Sequence, residues 1–127
     1  MGWISGSLPR MVAVQSDGCA PVVEAFQSHQ DATSFWHKSN TIALGLNVPG
    51  PIGGYWILKI LSESNGIAVT AQESSLEIKT ENFRKRTGID ASTEIGVVWS
   101  AYEELTEKIW ITPGERVILF ATGVERR

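Results

Sequence analysis

The chain has 127 residues, 43% of them hydrophobic and 20% charged, a balance typical of globular proteins and unlike that of disordered ones. A net charge of -3 and a pI near 5.3 give no basic stripe of the kind nucleic-acid binders carry, and the Arg84-Lys85-Arg86 cluster, offset by Glu77 and Glu81, reads as a solvated helix face. The lone Cys19 cannot form an intrachain disulfide, no apolar run reaches the roughly 18 residues that span a bilayer, and the first residues lack a signal-peptide pattern, so a cytoplasmic protein with no membrane partner is expected.

In chain order, Arg10-Met11-Val12-Ala13-Val14-Gln15 reads as a short buried strand. Ser16-Asp17-Gly18 is a turn, with Asp17 placed to cap the next helix and Pro21 suited to its first turn. Cys19, Val22, Val23 and Phe26 share one apolar face of a helix running to about Gln30. Residues 31–40 are polar and irregular. Thr41 to Gly54, broken by Pro49-Gly50-Pro51 and Gly53-Gly54, is a loop entering a helix over about 52–64. The inner face of that helix is expected to hold Ile57, Ile60 and Leu61, and Gly66 suits a left-handed residue at its end.

Ile67-Ala68-Val69-Thr70-Ala71 is a second strand. Ser74-Ser75-Leu76-Glu77 has the spacing of a capping box, and the helix behind it stops near Thr87-Gly88. Ser92 or Thr93 is placed to cap a further helix carrying Ile95, Val98, Trp99, Tyr102 and Leu105 along one side. After the Thr112-Pro113-Gly114-Glu115 turn, Arg116-Val117-Ile118-Leu119-Phe120-Ala121 has the strongest strand pattern in the chain. The order β, α, α, β, α, α, β predicts an α/β fold: a three-layer, Rossmann-like sandwich with a mainly parallel sheet. Three strands make a narrow sheet with open edges, so residues 1–127 read as one domain that is an incomplete half of a larger fold.

The residues themselves offer little independent chemistry. His29 and His37 share no helical face with each other and form no metal spacing with Cys19, which reads as an inert buried thiol at a helix start. Lys59 reads as a snorkelling surface lysine. Pro49-Gly50-Pro51-Ile52-Gly53-Gly54 precedes a helix but lacks the spacing of known phosphate loops, which favours a structural loop over an independent phosphate site. Trp56, Trp99 and Trp110 read as core, whereas Trp3 and Trp36 are candidates for contact with a partner.

Several ordered stretches resemble threonine synthase. They are Pro9-Arg10-Met11-Val12-Ala13-Val14-Gln15, Gly18-Cys19-Ala20-Pro21-Val22-Val23, Thr41-Ile42-Ala43, Gly45-Leu46-Asn47-Val48-Pro49, Ser62-Glu63-Ser64-Asn65-Gly66-Ile67-Ala68-Val69, Trp110-Ile111-Thr112-Pro113-Gly114-Glu115-Arg116-Val117 and Thr122-Gly123. Threonine dehydratases share the fold and some of these motifs. The resemblance is to the carboxy-terminal part of a pyridoxal-phosphate enzyme of the tryptophan-synthase-β fold type, which converts O-phosphohomoserine and water to threonine and phosphate. It implies a cofactor that serves as an electron sink, tethered by a Schiff-base lysine and held by a glycine-rich phosphate loop, both in a region before the one matched here. It also implies that Thr122 is the cofactor-binding residue, its hydroxyl donating to the pyridine nitrogen. The chain departs from the family after Thr122-Gly123, where Val124 and Glu125 stand in place of a glycine and a lysine, and at Ile95 and Val97, which are bulkier than the family's residues beside Glu94. The expectation is a threonine-synthase-like domain without activity of its own, completed by a second copy or an amino-terminal partner chain. The alternative is a non-catalytic oligomerisation or protein-binding module derived from such an enzyme.

Overall fold

The computed structural model describes residues 6–124; Trp3 lies outside them. Two parallel strands, β1 (Val12–Ser16) and β2 (Ile67–Ala71), pair in register from Val12 opposite Ile67 to Ser16 opposite Ala71. Four helices surround them: α1 (Pro21–Gln27), α2 (Gly54–Glu63), α3 (Leu76–Thr87) and α4 (Glu94–Glu107). Single 3₁₀ turns at Leu44–Leu46 and Glu73–Ser75 complete the regular structure.

Strand alternation explains the layering. Ala13 and Ala68 face one side, where small side chains let α1 and α2 approach closely through Val22, Val23, Ala25, Leu58 and Leu61. Val12, Val14, Ile67, Val69 and Ala71 face the other side, against Val97, Ala101 and Leu105 of α4. Helix α3 packs on α4 through Phe83, which meets Trp99 edge-on at 5.5 Å between ring centres. The result is a small, open, parallel sheet between helical layers, a partial Rossmann-like fold.

Several local expectations are corrected. Residues 116–121 run without regular secondary structure, because no strand among the described residues lies alongside them to complete a ladder. Ile118 and Phe120 are 80% and 69% exposed, and Leu119 turns into the cluster of Phe83, Ala91, Ile95 and Trp99. Asp17 does not cap α1. The Gln15 side-chain oxygen does so from within β1, accepting the Val22 and Val23 N–H groups at 2.8 and 3.2 Å. The capping box of Ser74 with Glu77 does not form: Ser75 stands at the cap position of α3 without a side-chain cap bond, and its hydroxyl donates back to the Gln72 carbonyl at 2.8 Å. At the end of α2, Asn65 takes the left-handed conformation with φ of 52°, while Gly66 serves close approach, a Cβ there falling 2.2 Å from the Met11 carbonyl oxygen. Leu58, not Ile60, joins Leu61 on the buried side of α2, and Trp56 is 62% exposed with Lys59 Nζ 5.6 Å above its ring. Trp36, which the sequence offered to a partner, packs against the α1 and α2 cluster and donates to the Gly18 carbonyl at 3.1 Å.

Candidate functional site

In parallel α/β sheets, ligands bind beyond the carboxyl ends of the strands, where loops and helix starts converge. Here that edge is the rim beyond Ser16 and Ala71. The starts of α1 and α4, the 41–47 loop and the Glu73–Ser75 turn meet there.

Three carboxylates organise the rim. Asp17 Oδ1 accepts the Glu73 N–H at 2.9 Å, joining the residues that follow the two strands. Glu73 accepts the Ser16 hydroxyl and the Ile42 N–H, which fastens the 41–47 loop across the strand ends. Glu94, in the first turn of α4, accepts the Gly45 N–H at 2.8 Å. Between these ties Ala43 is fully buried against Ala71, Leu76 and Val97. Gly18 is required by space: a Cβ there would fall 1.9 Å from the Asn40 carbonyl oxygen, and the Asn40 N–H donates to the Gly18 carbonyl at 3.0 Å.

The electrostatics follow from these donors. Burial pushes the Glu73 carboxyl up, but hydrogen bonds from Ser16, Ile42 and Thr41 outweigh it and hold the group below its ordinary value of 4.5. Burial likewise raises Glu94, and donors on Ser92, Gly45 and its own backbone more than reverse the effect. Both carboxylates thereby stay ionised to lower pH than an ordinary glutamate. Cys19 is fully buried, and that burial raises its thiol above the ordinary value of 9.0.

Thr122 is exposed and lies beside this rim. Its neighbour Gly123 accepts the Ser92 N–H at 3.1 Å, and a Cβ on Gly123 would fall 2.5 Å from the Ser92 hydroxyl oxygen and 4.0 Å from Glu94 Oε2. The structure thus brings together Gly45, Glu94 and Thr122-Gly123, which lie far apart in sequence. Asp17, Glu73 and Ser92 were not singled out as site residues from the sequence. Their signal was position, since polar residues immediately past the ends of parallel strands or at the start of a helix face the rim.

Thr122 offers an accessible hydroxyl of the kind a pyridine nitrogen accepts from. The other two ends of pyridoxal phosphate are not matched. Lys59, Lys79, Lys85 and Lys108 are each paired with a glutamate on their own or the adjoining helix, and Lys38 is exposed on the 28–43 loop with φ of 58°. A phosphate monoester at the rim would also meet the charges of Asp17, Glu73 and Glu94. The described rim therefore does not fit the phosphate or the imine of the cofactor. The Gly50–Gly54 loop has a packing role, because a Cβ on Gly54 would fall 2.5 Å from the Thr33 hydroxyl oxygen. Among the described residues no group of three or more His, Cys, Asp or Glu side chains could hold a metal ion, and no helix is long and apolar enough to cross a membrane.

No protein-family model matches the chain. It is similar to the threonine synthase of Methanosarcina acetivorans, with 23% identity over 120 residues that cover 94% of this chain and 30% of that protein. Similarity to the threonine synthase of Methanocaldococcus jannaschii has the same coverage, at 24% identity over 120 residues. The chain is thus a distant, partial match to threonine synthases and spans 30% of the length of these curated relatives.

Proposed function

We propose that residues 1–127 form a threonine-synthase-like carboxy-terminal domain that contributes one wall of a pyridoxal-phosphate site and is inactive alone. In this reading Thr122 donates its hydroxyl to the ring nitrogen, while Ser92 and Glu94 hold the Thr122-Gly123 stretch and the 41–47 loop at the strand ends. An amino-terminal partner chain in the cytoplasm supplies the imine-forming lysine and the phosphate loop, and the joint site acts on O-phosphohomoserine. The observation that carries the reading is the meeting of Gly45, Glu94 and Thr122-Gly123 at one rim, in a chain similar to threonine synthases over 94% of its length.

The test is to incubate the purified chain with O-phosphohomoserine and pyridoxal phosphate, then reduce with borohydride. The expected result is background phosphate release and no pyridoxyl-lysine adduct. Turnover accompanied by a trapped adduct would overturn the claim of solitary inactivity. The exposed Ile118 and Phe120 support a second reading, a non-catalytic assembly module. Sedimentation showing a monomer at the highest soluble concentration would remove that one.

A further inference from the structure

The stretch beyond the Thr112–Glu115 turn is attached to the rest of the protein in an unusual way. Trp110 and Ile111 belong to the body: both pack against the Val69, Ala101 and Leu105 cluster, and their N–H groups donate to the Leu105 carbonyl at 2.9 and 3.0 Å. The chain then turns at Thr112–Glu115, where Gly114 has φ of 91° and open space around its Cβ position. From 116 to 122 no backbone hydrogen bond to another described residue is formed. Leu119 and the Ser92 N–H to Gly123 carbonyl bond hold the far end.

Arg10 spans the turn. Its guanidinium lies 3.8 Å over the Trp110 ring and donates to the Trp110 carbonyl at 3.0 Å, both on the body side. It also donates to the two Glu115 carboxylate oxygens at 2.8 and 2.9 Å, on the far side. Glu115 in turn accepts the Thr112 N–H at 2.6 Å. One side chain from the segment before β1 therefore fastens both sides of the corner.

We propose that residues 115–124 form an arm that lifts from and returns to the body as a unit, with Gly114 as its hinge and Arg10 as its latch. The arm carries Thr122, so the latch sets whether that hydroxyl lies at the rim. An arm with few backbone hydrogen bonds and few buried contacts belongs to the low-stability end of a protein's local openings. The two attachments lie at opposite ends of the arm, Glu115 at one and Gly123 at the other. Independent loops would not couple them; a single arm must. The latch is a property of this chain alone and does not depend on the cofactor reading.

The test is amide hydrogen exchange by NMR on the whole chain, read at Ser92, whose N–H is released only if the far end lifts. In Arg10→Ala, exchange at Ser92 should quicken by about tenfold, the scale of one surface ion pair plus one cation–π contact. The β1 and β2 ladder amides should be unaffected. Glu115→Gln, which removes only the arm-side charge, should quicken Ser92 by less and guards against misfolding of the first variant. Unchanged Ser92 exchange in both variants would overturn the arm. So would equal acceleration of the ladder amides, which would mean general destabilisation.

Discussion

Ile109 is a β-branched residue held at φ of 57° and 68% exposed, at the position after Lys108, the C-cap of α4, where glycine is the usual choice. The Trp110 N–H to Leu105 carbonyl bond at 2.9 Å keeps it there. Left-handed backbone costs an ordinary L-residue roughly 1–2 kcal/mol, and glycine loses part of that gain through its greater freedom in the unfolded chain. Ile109→Gly should therefore stabilise the protein by about 0.5–1 kcal/mol in urea unfolding, and a loss of stability would show that the side chain makes contacts worth more than the strain. Gly96 argues in the opposite direction. Alanine is normally favoured over glycine inside a helix by about 1 kcal/mol. Here its Cβ would fall 2.4 Å from the Thr80 hydroxyl oxygen and 2.5 Å from the Leu76 carbonyl oxygen, both on α3. The backbone contact cannot yield as a side chain can, so Gly96→Ala should destabilise by about 2 kcal/mol, measured by the same unfolding.

At the scale of elements, β1, β2, α3 and α4 were legible because hydrophobic periodicity follows from burial on one face or two. Ends and caps were less legible, because they depend on groups distant in sequence. Nothing local marks Gln15 as the cap of α1, or tells that Asn65 turns left-handed while Gly66 answers the Met11 carbonyl. The strand expected over 116–121 does not form, because a strand needs a ladder partner that pattern alone cannot supply. Of the candidate site, Thr122 was named only through the family resemblance, whereas the Ser16–Glu73–Ile42 tie required the parallel pairing that sets the two strand ends side by side. The element-scale prediction concerns Leu119, the arm's one side chain in the core cluster. Leu119→Ala should release Ser92 to exchange while costing only about 1–2 kcal/mol globally, less than a full core truncation because the site is partly exposed. Loss of the whole fold would contradict that placement.

For the whole molecule, Glu73 and Glu94 predict how stability responds to acid. Both have folded-state values held below 4.5, so the unfolded chain binds protons first as pH falls. Their stabilisation is complete above the unfolded value and is lost as pH drops through the lowered folded values. The urea midpoint should hold between about pH 7 and pH 5 and fall below that range. The Glu73→Gln, Glu94→Gln double variant should be less stable near neutrality by about 2 kcal/mol, from weakened charge-assisted bonds. It should also lose less on acidification, and a profile parallel to that of the unchanged protein would refute the assignment.

The cap on α1 also bears on the order of folding. This helix is only seven residues long, has no side-chain cap of its own and borrows the Gln15 oxygen from a strand. A helix so short cannot offset its own nucleation. It must therefore wait for β1 to align, and a peptide covering residues 17–30 should show no helical circular dichroism, whereas the segment becomes helical only as the sheet assembles.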